Sequence, residues 1–282
     1  MTDQPHAGGP SSTRKDFPWW LLAAGLIALF LAFQIAVNDL YSQIFTIVSK
    51  GIWITIFVTL VGFALATLLG LLLAVMGLSG SLVLRQIARF YVEIIRGIPI
   101  LVLLFYIAFV GAPGFVLGWN ALISPLIEAG LMEEMLVRDV SLLWRAIIAL
   151  TIGYSAFISE VFRAGILSVD EGQVEAAKAL GLGPWHRFRF IVLPQAIRTI
   201  LPPLGNDFIA MIKDSSLVSV LGVADLTQMG KVYASGSFRF FETYSVVAYV
   251  YLLLTVGLSL ALRALEKRLR RSQEERSGGP KQ

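Results

Sequence analysis

Two pairs of opposite charge, each spaced by three residues, stand in or beside apolar stretches of this sequence. They are Glu93 with Arg96 and Glu160 with Arg163. On a helix this spacing brings both side chains to one face, where they can form an ion pair. A charge at the bilayer centre costs about 2.5 to 3.5 kcal/mol on insertion scales, so each group must face protein or water. The pairs are predicted either to fix neighbouring helices or to form an inner gate.

A second polar cluster follows Pro202 and Pro203, near which we expect a helix to begin. Its members are Asn206, Asp207, Lys213, Asp214, Ser215 and Ser216. Asp207 and Asp214 are seven residues apart and therefore share a helix face. Packing between helices and contact with a polar ligand both remain open for this cluster.

The polar and basic segment 171–200 lies between the stretches that carry these charges. Good helix formers up to Leu180, followed by Gly181, predict a short helix that ends at the glycine. Pro184 suits the start of a second short helix, and Pro194 is expected to close it. The second helix is amphipathic: Trp185, Phe188 and Val192 share one face, and His186, Arg187 and Arg189 lie elsewhere around it.

Several kinds of chemistry are excluded by what the sequence lacks. There is no cysteine, and the two histidines are far apart, so we expect no disulfide, no thiolate nucleophile and no metal site. The phosphate-binding pattern G-x-x-x-x-G-K followed by Ser or Thr does not occur. We therefore predict no catalytic residues, no cofactor and no ATP hydrolysis by this chain. The basic residues cap apolar stretches and form no stripe, which argues against nucleic-acid binding.

Composition identifies an integral membrane protein. Hydrophobic residues make up 56% of the 282 residues and charged residues 15%, and the mean hydropathy is +0.75. These values exclude an ordinary soluble domain. A helix needs about 20 apolar residues to cross a bilayer. By that measure we expect six spans, at about 19–37, 52–78, 97–117, 142–166, 203–223 and 243–262.

The distribution of lysine and arginine predicts the orientation of these spans, because positive residues favour cytoplasmic loops. With the N-terminus inside, the outer loops hold only Lys50, Arg138, Arg145, Lys231 and Arg239. Both termini and the segment 171–200 are then cytoplasmic. Residues 1–18 and 272–282 are expected to be disordered tails. Residues 19–40 are expected to form an uncleaved membrane anchor.

The segment 171–200 resembles the E-A-A loop of membrane subunits from ATP-binding-cassette (ABC) importers. The residues that carry the resemblance are Glu175, Ala176, Ala177, Gly181, Ile191, Leu193 and Pro194. In that family the loop is a cytoplasmic coupling helix that presses into a groove on the ATPase subunit. The resemblance implies an ATPase contact made by these residues together with Trp185, His186 and Arg187. An ordinary amphipathic helix on the membrane surface is the alternative.

A wider resemblance covers residues 51–268. The strings Y-V-E-I-I-R-G-I-P-I at 91–100, G-Q-V-E-A-A-K-A-L-G-L at 172–182 and L-P-Q-A-I-R-T-I-L-P-P-L-G-N-D-F at 193–208 are similar to permeases for polar amino acids. The resemblance implies an all-α, type I importer permease that works by alternating access. It also implies a pair of ATPase subunits, a second permease subunit, identical or related, and an external solute-binding protein. The segment 113–140 departs from shorter members, and a re-entrant or periplasmic helix is expected there.

Together, sequence and resemblance predict a multi-pass permease of the bacterial cytoplasmic membrane that imports a polar amino acid. The first rival is a secondary transporter, driven by an ion gradient through Glu160 or Asp207. Such a transporter would work without an ATPase and would have no use for the E-A-A loop. A membrane scaffold without transport is disfavoured by the charges inside the spans.

Overall fold

A bilayer offers the backbone no water, so each spanning segment must satisfy its own hydrogen bonds, and helices do so. The computed structural model describes residues 19–274, without the side chains at 20, 21 and 265–274. This part of the chain is helical and contains no strand, which confirms the predicted all-α fold. The helices are α1 (Trp19–Val37), α2 (Asp39–Ser49), α3 (Ile52–Leu78), α4 (Leu82–Gly97), α5 (Ile100–Tyr106), α6 (Ala112–Glu128), α7 (Leu142–Leu167), α8 (Glu171–Ala179), α9 (Pro184–Arg187), α10 (Leu193–Asp214), α11 (Leu226–Ser237) and α12 (Phe240–Glu274). The predicted tail at 1–18 and the predicted tail from 275 onward lie outside the described residues. Helix α12 extends past position 272, where the second tail was expected to begin.

Among the residues that the structure describes, four helical stretches are long and apolar enough to cross a bilayer: Asp39–Leu78, Ile100–Glu128, Leu142–Leu167 and Phe240–Ala264. They overlap four of the six predicted spans. The other two predicted spans correspond to α1, whose apolar part is shorter, and to α10, which carries the polar cluster. The count of six rests on these two helices and stays a prediction.

Helices α3 and α7 form the centre of the bundle. Small residues let two helix backbones approach closely within a membrane, and a Cβ atom placed on Gly70 would lie only 2.8 Å from Cγ2 of Ile158. Leu150 and Ile158 of α7 are fully buried against α3, and Met211 of α10 is buried in the same core. Helix α7 is therefore held between α3 and α10.

The third span continues beyond its predicted end at about residue 117 to Glu128, and a π turn carries the helix through Pro113. In this turn, Ile107–Gly111, the carbonyl of Ile107 accepts from the amide of Ala112, five residues on. Proline has no N–H, so it cannot donate to the carbonyl of Ala108. Arg145 of α7 donates to that carbonyl instead, at 3.0 Å. The first part of the segment 113–140 is therefore a continuation of the span, and the expected separate helix was wrong there.

The N-terminus of α3 meets the start of α11 at the opposite end of the bundle from the segment 171–200. Gly51 is required at this junction, since a Cβ would lie 2.4 Å from the backbone carbon of Asp225. The amide of Leu226 donates to Oγ1 of Thr55 at 3.1 Å. Asp225 caps α11 by accepting from the amide of Gln228 at 2.8 Å. This carboxyl is fully buried in the connection between α10 and α11, and its burial raises its pKa to about 6.

Candidate coupling surface and translocation cavity

The segment between α7 and α10 contains the predicted elbow. Asp170 begins α8 by accepting from the amide of Gln173 at 3.1 Å, and the helix ends two residues before Gly181. Gly181 has a φ of +76°, a left-handed conformation that glycine adopts without strain. Helix α9 then starts at Pro184, in the first helical turn where its missing donor costs nothing. The two short helices and the glycine between them are as predicted.

The second helix does not end at Pro194, as the sequence had suggested. Helix α9 passes through the π turn Phe188–Val192 directly into α10, and Pro194 lies in the first turn of α10. The amide of Leu193 bonds to the carbonyl of Phe188, five residues back. The wider turn accommodates a proline that would clash with a regular α-helical turn. Helix α10 consequently starts well before Pro202, where a helix start had been expected.

The segment 171–200, called the coupling segment below, contacts both the end of α7 and the start of α10. Nε2 of Gln195 donates to Oε1 of Gln173 at 2.7 Å, which joins α10 to α8. Val169 and Ile200 are buried together in a small apolar cluster beneath α8. Ala177 of the E-A-A pattern is buried on the inward face of α8. A force on the segment would therefore reach two core helices directly.

The outward face of the coupling segment exposes large apolar side chains. Trp185 is 67% exposed and Leu180 81% exposed, although both stand on the anchored segment. The ring centroid of Trp185 lies 6.0 Å from that of Phe188. The other predicted contact residues divide by exposure: Glu175, Ala176, Gly181, His186 and Pro194 are exposed, and Arg187, Ile191 and Leu193 are half-buried. The sequence analysis did not include Leu180 and Phe190 among the contact residues. Each is a large apolar residue in a polar segment, and that pattern could have indicated them.

Both predicted charge pairs line one cavity of about 280 Å³ between α3, α4 and α7. Nη2 of Arg163 lies 2.6 Å from Oε2 of Glu160, as their spacing predicted. The predicted pairing of Glu93 with Arg96 was wrong, since no such pair occurs in the part of the chain that the structure describes. The guanidinium of Arg96 lies 5.5 Å above the ring of Phe157 instead. The cavity also contains residues that sequence reasoning left out, namely Arg85, Arg89 and Ser159.

The polar cluster of α10 lies apart from this cavity and only part of it is drawn together. Oδ2 of Asp214 accepts from the hydroxyl of Tyr154 at 2.7 Å, which joins α10 to the middle of α7. Oδ2 of Asp207 is buried and has no hydrogen-bond partner among the described residues. Ser215 is buried and donates to the carbonyl of Ile212. Asn206 and Lys213 are exposed. Tyr154 was not predicted, because a tyrosine within an apolar span gives no signal of its own.

The fold and these sites define a multi-pass membrane permease. The model of a family described as "Binding-protein-dependent transport system inner membrane component" matches residues 66–271, and the chain belongs to this family. The probable amino-acid permease protein YxeN of Bacillus subtilis is 37% identical over 214 residues, 76% of this chain and 87% of the relative. The glutamine transport system permease protein GlnP of Escherichia coli K12 is 36% identical over 222 residues, 78% of this chain and 92% of the relative.

A solved structure shares the fold as well. The "Crystal structure of an amino acid ABC transporter with histidines" superposes with a TM-score of 0.65 at 35% sequence identity, covering 81% of this chain and 95% of that one. The chain is therefore a permease subunit of an ABC importer, and such permeases act with ATPase and binding-protein partners. Neither the fold nor the comparisons favour a secondary transporter.

Proposed function

We propose that this chain imports a polar amino acid by alternating access, driven by a pair of ATPase subunits that bind at Glu175–Pro194. The observation that carries the proposal is the exposed apolar face of an anchored segment, with Trp185 and Leu180 uncovered by the rest of the chain. Exposed apolar patches rimmed by polar residues mark protein interfaces. Aromatic anchors of this kind carry much of the binding energy at such interfaces. ATP would be hydrolysed by the partner, since this sequence has no phosphate-binding loop.

The orientation that this proposal needs has both termini and the coupling segment in the cytoplasm. Its support is the excess of lysine and arginine on that side. The chain has no cysteine, so single cysteines can report sidedness without background. A cysteine at His186 should be shielded from an impermeant thiol reagent added outside, and one at Ser237 should react. Labelling of position 186 from outside would reverse the orientation and remove the coupling argument.

Coupling would run from the segment into the two helices that hold it. The bond of Gln195 to Gln173 and the burial of Ile200 make α8 and α10 move together. Helix α10 carries Asp214, which is bonded to Tyr154 in the middle of α7. A displacement of the segment would therefore shift α10 against α7 at the depth of the polar groups. In this proposal, α10 moving against α7 is the two-state element that alternating access requires.

An amino acid presents a carboxylate and an ammonium, so its path needs donors and acceptors. The cavity supplies both, with Arg96 and Arg163 as donors and Glu93 and Glu160 as acceptors. The cluster around Asp207 and Lys213 would supply a second set. The Escherichia coli relative is named as a glutamine permease, which fits a polar substrate of this kind. A second permease subunit and an external solute-binding protein complete the proposed assembly.

The test is a paired substitution of exposed tryptophans in the assembled complex. Trp185→Ala should lower co-purification of the ATPase and abolish the stimulation of ATP hydrolysis by binding protein and amino acid. Trp53→Ala is the control, because Trp53 is 70% exposed but lies at the start of α3, far from the segment. A Trp185→Ala complex that forms and couples as well as the Trp53→Ala complex would contradict the proposed ATPase contact.

A further inference from the structure

A second cavity, of about 250 Å³, lies between α3, α10 and α12 and shares no residue with the charged cavity of α4 and α7. Helix α10 packs against both α3 and α12, whereas α3 and α12 have few direct contacts with each other. Both α3 and α12 belong to stretches that are long and apolar enough to span a bilayer. The cavity is therefore a gap between two spanning helices, with α10 as its floor. We call it the apolar gap.

The apolar gap is closed at both of its ends along the bundle. At one end, the start of α3 is hydrogen-bonded to the start of α11. At the other end, the ring of Phe208 packs on that of Phe63, with their centroids 4.9 Å apart. Beside this ring pair, Leu262 of α12 lies so close to Gly205 of α10 that a Cβ there would be 3.1 Å from Cδ1 of the leucine. The remaining opening is sideways, between α3 and α12, beside Leu60, which is 54% exposed.

The lining of the apolar gap offers no hydrogen-bond donor to an occupant. Two threonines and six apolar side chains form it. The hydroxyl of Thr55 donates to the carbonyl of Gly51 at 3.2 Å, and that of Thr59 donates to the carbonyl of Thr55 at 2.8 Å. A buried water needs two to four polar partners, and an apolar cavity of about 150 Å³ stays dry and takes up an apolar ligand. Neither water nor a polar amino acid is therefore a suitable occupant.

The size of the apolar gap excludes a helix from a partner protein. A helix about 10 Å in diameter occupies roughly 850 Å³ over two turns, more than three times the volume of the gap. An extended hydrocarbon chain is narrower than a helix and needs no hydrogen-bond partner. The bilayer core beside a spanning helix consists of such chains. Shape, polarity and surroundings therefore all favour a lipid acyl chain.

We propose that the apolar gap binds one acyl chain of a membrane phospholipid, taken from the leaflet on the side of α11. The acyl chain enters beside Leu60 and lies along Phe208 and Ile212 of α10, both of which line the gap. It fills the space between α3 and α12, so that lipid supports α10 on a face where the two neighbouring helices leave it uncovered. The site is separate from the proposed transport function, because neither the coupling segment nor the charged cavity takes part in it.

Native mass spectrometry of the complex of the full-length chain with its ATPase, purified in detergent, tests the site by counting retained phospholipids. Leu258→Trp fills the gap, since Leu258 lines it. Leu253→Trp is the matched control, because Leu253 belongs to the same helix but is 52% exposed and lies outside the gap. The wild type and the control should each retain one phospholipid per chain more than Leu258→Trp. Equal numbers in all three would overturn the proposal. Leu254→Phe fills the gap from one turn away and replaces Leu258→Trp if that variant does not assemble.

Thermal unfolding of the delipidated complex tests which part of the lipid is bound. A ligand of the native state at about a hundred times its Kd should raise Tm by about 5 to 10 °C in a protein of this size. Dipalmitoyl phosphatidylglycerol should produce this rise in the wild type and in Leu253→Trp, and Leu258→Trp should show none. Dihexanoyl phosphatidylglycerol has the same headgroup on short chains and should have little effect.

Two results of the unfolding experiment would contradict an acyl-chain site. An equal rise with the dihexanoyl lipid would place the binding at the headgroup. An equal rise in Leu258→Trp and Leu253→Trp would place it outside the apolar gap. Neither readout depends on transport or on ATP hydrolysis, so a failure of the proposed coupling surface would leave the lipid site intact.

Discussion

The joint between α7 and α10 makes a quantitative prediction for Gly165→Ala. A Cβ at this position would lie 2.2 Å from Cγ1 and 3.0 Å from Cδ1 of Ile200, and 3.3 Å from the carbonyl oxygen of Ala196. Ile200 is only 6% exposed, so its side chain has no solvent-facing space into which to move. Overpacking of a core costs about 1 to 3 kcal/mol. A contact of 2.2 Å puts the cost near the upper end of this range. The better helix propensity of alanine offsets up to about 1 kcal/mol of it, which leaves a net loss of about 2 kcal/mol.

Thermal unfolding of the purified chain measures this loss. A protein of this size loses about 2 to 4 °C in Tm for each kcal/mol, so Gly165→Ala should unfold several degrees below the wild type. Gly118→Ala in α6 is the matched control, because a Cβ there meets nothing within 4 Å. Its Tm should stay unchanged or rise slightly.

A double-mutant cycle shows whether Ile200 is the cause. Ile200→Ala alone should cost about 2 to 5 kcal/mol, since it leaves a cavity. With Gly165→Ala in the same chain, the new methyl group occupies space that the isoleucine has vacated. The double variant should then be more stable than the sum of the single effects by about 1 kcal/mol or more. Additive losses, or a Gly165→Ala variant as stable as Gly118→Ala, would show that the two helices do not meet as described.

Three further predictions concern the elbow, the buried acid and the polar path. Gly181→Val places a β-branched residue at a φ of +76°, which should strain the elbow by about 1 to 3 kcal/mol; the protein should still insert, and transport at the wild-type rate would contradict the role of the elbow. Burial holds the pKa of Asp225 at about 6, whereas an aspartate in an unfolded chain has a pKa of about 3.9. The native state therefore binds this proton more tightly than the unfolded state does. The free energy of unfolding should rise by up to roughly 3 kcal/mol as pH falls from 7 to 4. Asp225→Asn keeps the cap on α11 and should remove this pH dependence of Tm; the same slope in both proteins would exclude Asp225 as its source. Glu160→Gln or Lys213→Met should raise the amino-acid concentration needed for transport by roughly 10- to 100-fold without lowering the yield of complex, whereas lost assembly with normal kinetics would indicate a purely structural role.

Much of the fold could be predicted because it depends on local signals. Apolar length located four of the spans. Helix formers followed by Gly181 located the elbow, where glycine adopts the left-handed conformation without strain. The ion pair of Glu160 with Arg163 also followed from spacing alone, because both groups stand on one helix. These features require no knowledge of which helices are neighbours in space.

The errors arose where a distant residue decides the outcome. Arg96 lies over Phe157, which belongs to another helix, so its spacing from Glu93 could not decide its partner. Pro194 was expected to close a helix, yet a π turn carries the helix through it, as another π turn does at Pro113. At Pro113 the unpaired carbonyl is satisfied by an arginine more than thirty residues away, a contact that no local pattern indicates.

The residues of the cavity were also predicted only in part, because helices distant in sequence form it. Arg85 and Arg89 were assigned to a cytoplasmic loop, because α4 is too polar to be recognised as part of a span. Its charges are compatible with membrane depth because they line the cavity between α3, α4 and α7, a placement that hydropathy along the chain cannot indicate.

Uptake of a labelled amino acid into proteoliposomes tests the central claim most directly. Vesicles containing this permease with its ATPase should accumulate substrate when binding protein is outside and ATP is inside. Vesicles containing the permease alone, or the complex without ATP, should accumulate none, even with a proton or sodium gradient imposed. Accumulation that follows the ion gradient and needs no ATPase would contradict the account.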